Sequence, residues 1–151
     1  MANDFAGELL SMHSVARHNS WNIGGVVKSF YKPLNIEDCQ LFLQSLPLSE
    51  KVIWLGLGSN VLFPDEFLDA TIISTKFVLK GLSLVGGNIV EVGSGETCAK
   101  LAKFASNFGF GSAAFFAGIP GTIGGALAMN AGAFGGETWR YVHSVVVLNR
   151  Q

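Results

Sequence analysis

From Phe104 to Gly136 the chain carries no charged side chain, and the second half of that run, "GIPGTIGGALAMNAGAFGGE", has a glycine or alanine at almost every second position. The run exceeds the roughly 20 residues that cross a bilayer. It even holds a small-xxx-small pair, Gly121 and Gly125, of the kind that packs membrane helices. Against that reading stand Pro120, nine glycines, Asn107 and Asn130, which a continuous helix in hydrocarbon does not tolerate. A slack linker is excluded for a different reason. Phe115, Phe116, Ile119, Ile123, Leu127, Met129 and Phe134 are large apolar side chains that require burial. The remaining reading is an ordered loop with a short helix, whose missing Cβ atoms allow close approach. Sequence alone leaves open whether the approaching group is the protein's own backbone or a ligand.

The surrounding chain is globular in composition. Of 151 residues, 49% are hydrophobic and 14% charged, enough to bury a core. A net charge of −1 gives no basic footprint for nucleic acid. Cys39 and Cys98 stand apart, with no CxxC pair and no histidine at ligand spacing, so neither a disulfide framework nor a metal site is expected. Asp4 and Glu8 interrupt the N-terminus where a secretory leader needs an apolar run, which points to the cytoplasm.

Helical spacing of Phe5, Leu9 and Met12 predicts a first helix over 4–16. "VVKSFYKP" predicts a strand ended by Pro33, and "NIEDCQLFLQSLP" a helix capped by Asn35, with Glu37 and Asp38 at its positive end. "KVIWL" and "ATIIST" read as strands, and "LSLV-GGN-IVEV" as a hairpin. The next helix is expected to start at a Ser94 cap, bury Leu101, Phe104 and Phe108, and stop at Gly109. "YVHSVVVLN" predicts a closing strand, and its position just before the last residues suggests a piece of a larger protein. Without a regular βαβ rhythm, the class expected is α+β.

A second glycine cluster follows the strand "KVIWL". Gly56, Gly58, Ser59 and Asn60 can form a turn whose successive N–H groups cradle an anion, with Ser59 and Asn60 adding side-chain donors. Val61 stands where a Rossmann fingerprint needs glycine, and no Lys-Ser or Lys-Thr pair follows as in a P-loop. Two such clusters in one small protein point to a dinucleotide held outside the Rossmann scheme.

"HNSWNIGG", "GLGSNVLF", "VGSGE", "GIPGTIGGALAMNAGAFGGE" and "VHSVVVLN" occur in an order and spacing that resembles the UDP-N-acetylenolpyruvoylglucosamine reductase family, bacterial flavoenzymes that make UDP-N-acetylmuramate for peptidoglycan. The resemblance spans residues 18–149. It implies an α+β FAD-binding domain of the vanillyl-alcohol-oxidase type, two small subdomains clasping the cofactor. The division it implies is an N-terminal lead-in at 1–19, a first subdomain at 20–76 and a second, incomplete one at 77–151, with the substrate domain absent. By position, Gly56, Leu57, Gly58, Ser59, Asn60 and Val61 would wrap the FAD diphosphate. Gly118, Ile119, Pro120, Gly121, Thr122, Gly124, Gly125, Asn130 and Gly132 would line the rest of the site.

The resemblance further implies NADPH as reductant, a UDP-sugar substrate, and a proton-donating serine with an arginine and a glutamate that stabilise enolate-like charge. The family places those three beyond "VVVLN", so no catalytic residue is expected here, and the missing C-terminal portion is a candidate partner. Arg140 and Tyr141 precede that segment and do not match. Arg150 reads as a turn charge. Cys98 reads as a small core residue, Trp21, Trp54 and Trp139 as packing anchors, and His13, His18 and His143 carry no assigned role. Two other readings stay open: a flavin or nucleotide-phosphate binding fragment without turnover, and another FAD oxidoreductase of the same fold.

Overall fold

A computed structural model describes residues 5–76 and 78–150, which form two units. The first unit runs from Met1 to Val78 and includes Val147–Gln151. Its sheet holds β1 (Glu8–Ser14), β2 (Val26–Lys32), β3 (Val52–Leu55) and β4 (Leu68–Ser74) in the order β1-β2-β4-β3. β4 lies parallel to both β2 and β3, while β1 pairs antiparallel with β2. A strand between two neighbours, covered on both faces, is buried and largely apolar. Accordingly Ala70 to Ser74 are all buried.

Alternation along the strands sends neighbouring residues to opposite faces. Phe30 and Ile72 join Val15, Val27, Leu55, Phe63 and Ala70 in one cluster. Tyr31 and Ile73 meet Cys39, Phe42 and Leu43 of α1 (Ile36–Ser45) in another. Asn35 caps α1 as expected, accepting from Asp38 N at 2.8 Å. Asp38 does more than complement the helix end. Its buried carboxylate accepts from Ala6 N at 2.6 Å, Gly7 N at 3.2 Å, the Tyr31 hydroxyl at 2.7 Å and Leu34 N at 2.8 Å, tying the N-terminal segment to the sheet.

The expected helix over 4–16 is instead β1 and a 3-10 turn at Ala16–His18. Hydrogen bonding to the free edge of β2 outweighs the weak helical spacing, and Met12 at φ +50° adopts a conformation no right-handed helix contains.

The second unit runs from Leu79 to Val146. It contains the hairpin β5 (Leu82–Gly86) and β6 (Ile89–Val92), α2 (Cys98–Asn107), a 3-10 segment at Gly111–Gly118, α3 (Ile123–Met129) and the short pair β7 (Gly132–Ala133) and β8 (Gly136–Glu137). Cys98, Leu101, Ala102, Phe115, Phe116, Ile119, Ile123 and Ala126 form its core. The glycine-rich run is thus ordered loop and short helix. Among the described residues no helix is long and apolar enough to cross a membrane, and no cluster of His, Cys, Asp and Glu could hold a metal ion.

Five further expectations are corrected. Thr97, not Ser94, caps α2 by accepting from Lys100 N at 3.3 Å, since the Ser94 segment is engaged elsewhere. The buried stripe of α2 is Cys98, Leu101, Ala102 and Ala105, so Phe104 is only half-buried and Phe108 exposed. Met129 and Phe134 are exposed rather than buried, because α3 ends at Asn130 (φ +46°) and Phe134 sits in the turn between β7 and β8. Residues 141–149 form no strand: among the described residues no strand forms a ladder with them, and without a ladder the extended pattern is not fixed. Leu148 packs against the α1 cluster instead, and the Arg150 guanidinium donates to Pro47 O at 2.7 Å and Glu50 O at 3.1 Å. Arg150 is therefore an anchor, not an idle turn charge.

Candidate functional site

In the first unit, a pocket opens where β3 and β4 end, with Leu55, Gly56 and Leu57 on one side and Ser74 and Lys76 beside them. The carboxyl ends of adjacent parallel strands are the usual ligand crevice of open sheets, since the loops leaving them diverge. Arg17, His18, Asn19 and Ser20 complete the wall. Polar and cationic groups dominate it, as an anionic guest requires.

Gly58 locks this wall together. Its φ is +70°, and a Cβ there would fall onto the His18 carbonyl and within 2.8 Å of Asn19 Cα. The close approach lets Ser20 N donate to Gly58 O at 3.0 Å. Glycine is required here for contact between two segments of the protein, those read as "HNSWNIGG" and "GLGSN". Asn19, buried, stiffens the first of them by donating to Val15 O at 3.1 Å and Ile23 O at 2.8 Å while accepting from Trp21 N at 3.0 Å. No backbone carbonyl of the described residues accepts the N–H groups of Gly58, Ser59 or Asn60. Those donors remain available to an anion.

The residues expected around the diphosphate separate accordingly. Gly56 and Leu57 line the pocket, Gly58 shapes it, Ser59 and Asn60 are not among its lining residues, and Val61 packs against the sheet's core. Sequence reading missed Arg17, Ser74 and Lys76. A signal existed for two of them: Arg17 adjoins "HNSWNIGG", and Ser74 ends a strand whose parallel neighbour carries the glycine turn. Trp21 and Trp54 are 66% and 46% exposed, so neither is the packing anchor expected. Trp139 is also half-exposed, though its Nε1 donates to Leu127 O at 2.8 Å.

In the second unit, "VGSGE" and "GIPGTIGG" are bound to each other. Cys98 N donates to Gly121 O at 3.0 Å, Ile123 N to Glu96 O at 2.9 Å and Gly124 N to Ser94 O at 2.8 Å, around a bridge between Thr97 and Thr122. Thr122 is buried and caps α3 by accepting from Gly125 N at 3.3 Å. A Cβ on Gly124 would sit 3.2 Å from Ser94 O, and one on Gly118 2.6 Å from the Phe134 ring. At these positions too the glycines serve internal packing. Ile119 belongs to the core, whereas Gly118, Pro120, Gly125, Asn130 and Gly132 face solvent and Gly121 is half-buried. Asn130 holds the end of α3 in place, accepting from Trp139 N at 3.0 Å and donating to Glu137 Oε2 at 3.3 Å. The result is a rigid surface of small residues and backbone, suited to a flat or extended ligand.

Glu96 is buried and ion-paired with Lys100 at 3.2 Å. Burial opposes its ionisation, but the bonds from Lys100 and Thr97 N outweigh it and hold the carboxyl below its usual range. Burial pushes the Cys39 and Cys98 thiols up to about 11, which makes both poor nucleophiles.

Comparison with known proteins places the chain in a family. The chain is 49% identical to UDP-N-acetylenolpyruvoylglucosamine reductase from Coxiella burnetii (strain RSA 493 / Nine Mile phase I), over 96% of the chain and 52% of that protein. It is 45% identical to the reductase of the same name from Legionella pneumophila (strain Paris), over 96% of the chain and 48% of the relative. The chain thus spans about half the length of the curated relatives it matches. The crystal structure of UDP-N-acetylenolpyruvylglucosamine reductase from Thermus caldophilus superposes with a TM-score of 0.61 at 25% identity, over 87% of this chain and 45% of that one. The FAD binding domain family matches residues 28–151, a span that takes in both glycine clusters. The chain therefore belongs to the FAD-binding domain family, and FAD is its cofactor.

Proposed function

We propose that this chain is the FAD-binding part of an NADPH-dependent reductase that converts UDP-N-acetylenolpyruvoylglucosamine to UDP-N-acetylmuramate in the bacterial cytoplasm. The observation that carries the reading is the pocket at the ends of β3 and β4, where Gly56 and Leu57 meet Arg17, Ser74 and Lys76. Its donors fit a diphosphate. Backbone N–H groups of Gly58, Ser59 and Asn60 would take phosphate oxygens, and Arg17 and Lys76 would balance their charge. Gly118, Pro120, Gly121, Gly125, Asn130 and Gly132 would supply the second unit's share of the cofactor contacts, with Ile119, Thr122 and Gly124 holding that surface rigid from behind. FAD, when bound, supplies the capacity to take hydride from NADPH and pass it to a double bond.

The chain's own residues bind and orient. The fixed turn at Gly58 presents its donors without reorganisation, and the Thr122 cap fixes the backbone of the second surface. The serine, arginine and glutamate that the resemblance assigns to proton transfer and enolate stabilisation match no position here, so turnover would need groups supplied by a further portion. Titrating the purified chain with FAD tests the reading. A bound flavin with quenched fluorescence, weakened by Arg17→Ala and by Lys76→Ala, is the expected result. Affinity indifferent to both substitutions would overturn it. NADPH oxidation that depends on UDP-N-acetylenolpyruvoylglucosamine, catalysed by the 151 residues alone, would overturn the assignment of turnover to a further portion.

A further inference from the structure

His13 on β1 and His18 on the following 3-10 turn face each other with Nε2 to Nε2 at 2.9 Å. Two imidazole nitrogens at that distance need a proton between them, so one ring donates and the other accepts. The Phe30 ring packs beside both, its centroid 4.3 Å from His18 and 5.2 Å from His13, which fixes the pair against the core. His18 also lines the pocket that holds Arg17 and Lys76.

We propose that the His13–His18 pair couples anion binding in this pocket to uptake of a proton, His18 taking the charge beside the anion while His13 positions its ring from behind. The proposal rests on the reading of the pocket as the diphosphate site.

The charges around His18 come from every side. His13 faces it from β1, Lys32 from β2, Lys76 from the segment after β4, and Arg17 precedes it on its own turn. Lys32 is partly offset by Glu8, 2.8 Å away. In the free protein, burial first, and then the fields of His13, Lys32 and Lys76, hold His18 below its usual 6.5, so His18 is neutral at physiological pH. A diphosphate brings at least two negative charges into the same wall and reverses the sign of that field. Ionising His18 then costs less, and one proton enters from solvent with the anion. The charged pair keeps its contact, because an imidazolium donates to a neutral imidazole. By reciprocity of linkage, a proton that anion binding draws in must in turn tighten the anion. The affinity gain as pH falls is at most tenfold per pH unit, between the free and bound titration midpoints.

FAD is the appropriate probe, since both its phosphates are diesters and keep their charge across neutral pH, unlike a terminal phosphate. The imidazole proton resonances of the wild-type chain are followed from pH 5 to 9, with and without FAD, and the FAD dissociation constant is measured over the same range. The expected result is a His18 titration midpoint that moves up on FAD binding and an affinity several-fold tighter at pH 6 than at pH 8. H13Q and H18Q should each flatten that profile, which a purely structural role for either ring would not do. FAD bound with a flat profile and an unmoved His18 midpoint would overturn the coupling while leaving the site intact. No FAD binding at any pH would overturn the site and the coupling together.

Discussion

Gly58→Ala is the substitution that most sharply separates shape from chemistry in the pocket. At φ +70° an alanine pays the left-handed penalty of about 1–2 kcal/mol. Its methyl would also fall on the His18 carbonyl and lie within 2.8 Å of Asn19 Cα. Both are backbone atoms of a segment that Asn19 already pins by its hydrogen bonds, so neither yields as a side chain would. Overpacking of this kind adds about 1–3 kcal/mol. The total, about 2–5 kcal/mol, is below the usual stability of a domain, so the variant should still fold. Gly87→Ala supplies the control: φ is +52° there, and nothing lies within 4 Å of the added methyl. It carries the conformational penalty without the overlap. Urea unfolding of the three proteins should place G58A clearly below G87A, and G87A about 1–2 kcal/mol below wild type. G58A should also bind FAD at least tenfold more weakly, because the wall bearing His18 and Ser20 moves. Equal stability of G58A and G87A would refute the argument that Gly58 exists for backbone contact.

Two further outcomes follow from buried groups. Burial disfavours ionisation of Asp38, yet its bonds from Ala6 N, Leu34 N, the Tyr31 hydroxyl and Gly7 N prevail and hold it below the ordinary 3.8. Its contribution to stability is therefore complete above that value and fades as pH falls through the lower folded-state midpoint. Asp38→Asn should cost about 2–3 kcal/mol at pH 7, because the amide NH2 must face a backbone N–H whichever way it turns, and the acid limb of the stability curve should flatten. An unchanged curve by urea titration at several pH values would contradict this. Cys39 and Cys98, buried and pushed up to about 11, should resist iodoacetamide in the native protein at pH 8 and label fully in urea. Rapid native labelling of either would refute their placement in the cores.

Much of the fold was legible because local chemistry and tertiary structure agree. Asn35, Pro33, the "GGN" turn and the apolar "ATIIS" run each lead to one structure. The N-terminal segment failed because the free edge of β2, not its own spacing, decides what Glu8–Ser14 becomes. The segment over 141–149 failed for the complementary reason: strand-forming residues make no strand where the described residues provide no neighbouring strand. At the site, the glycine motifs were visible, but their immediate duty was not. Gly58, Gly118 and Gly124 are spaced for contacts within the protein. Arg17 and Lys76 escaped notice because they carry no motif of their own. Only the parallel pairing of β3 with β4 brings Ser74 and Lys76 to the glycine turn.

The central claim is that both glycine clusters serve the flavin cofactor. Backbone amide resonances of the isotopically labelled chain, recorded during titration with FAD, test it directly. The account predicts the largest shifts at Gly56–Asn60 and at Gly118–Gly125, with Arg17 to Ser20 following the first group. Saturable FAD binding that leaves both clusters unperturbed, with its shifts confined to other surfaces, would contradict it.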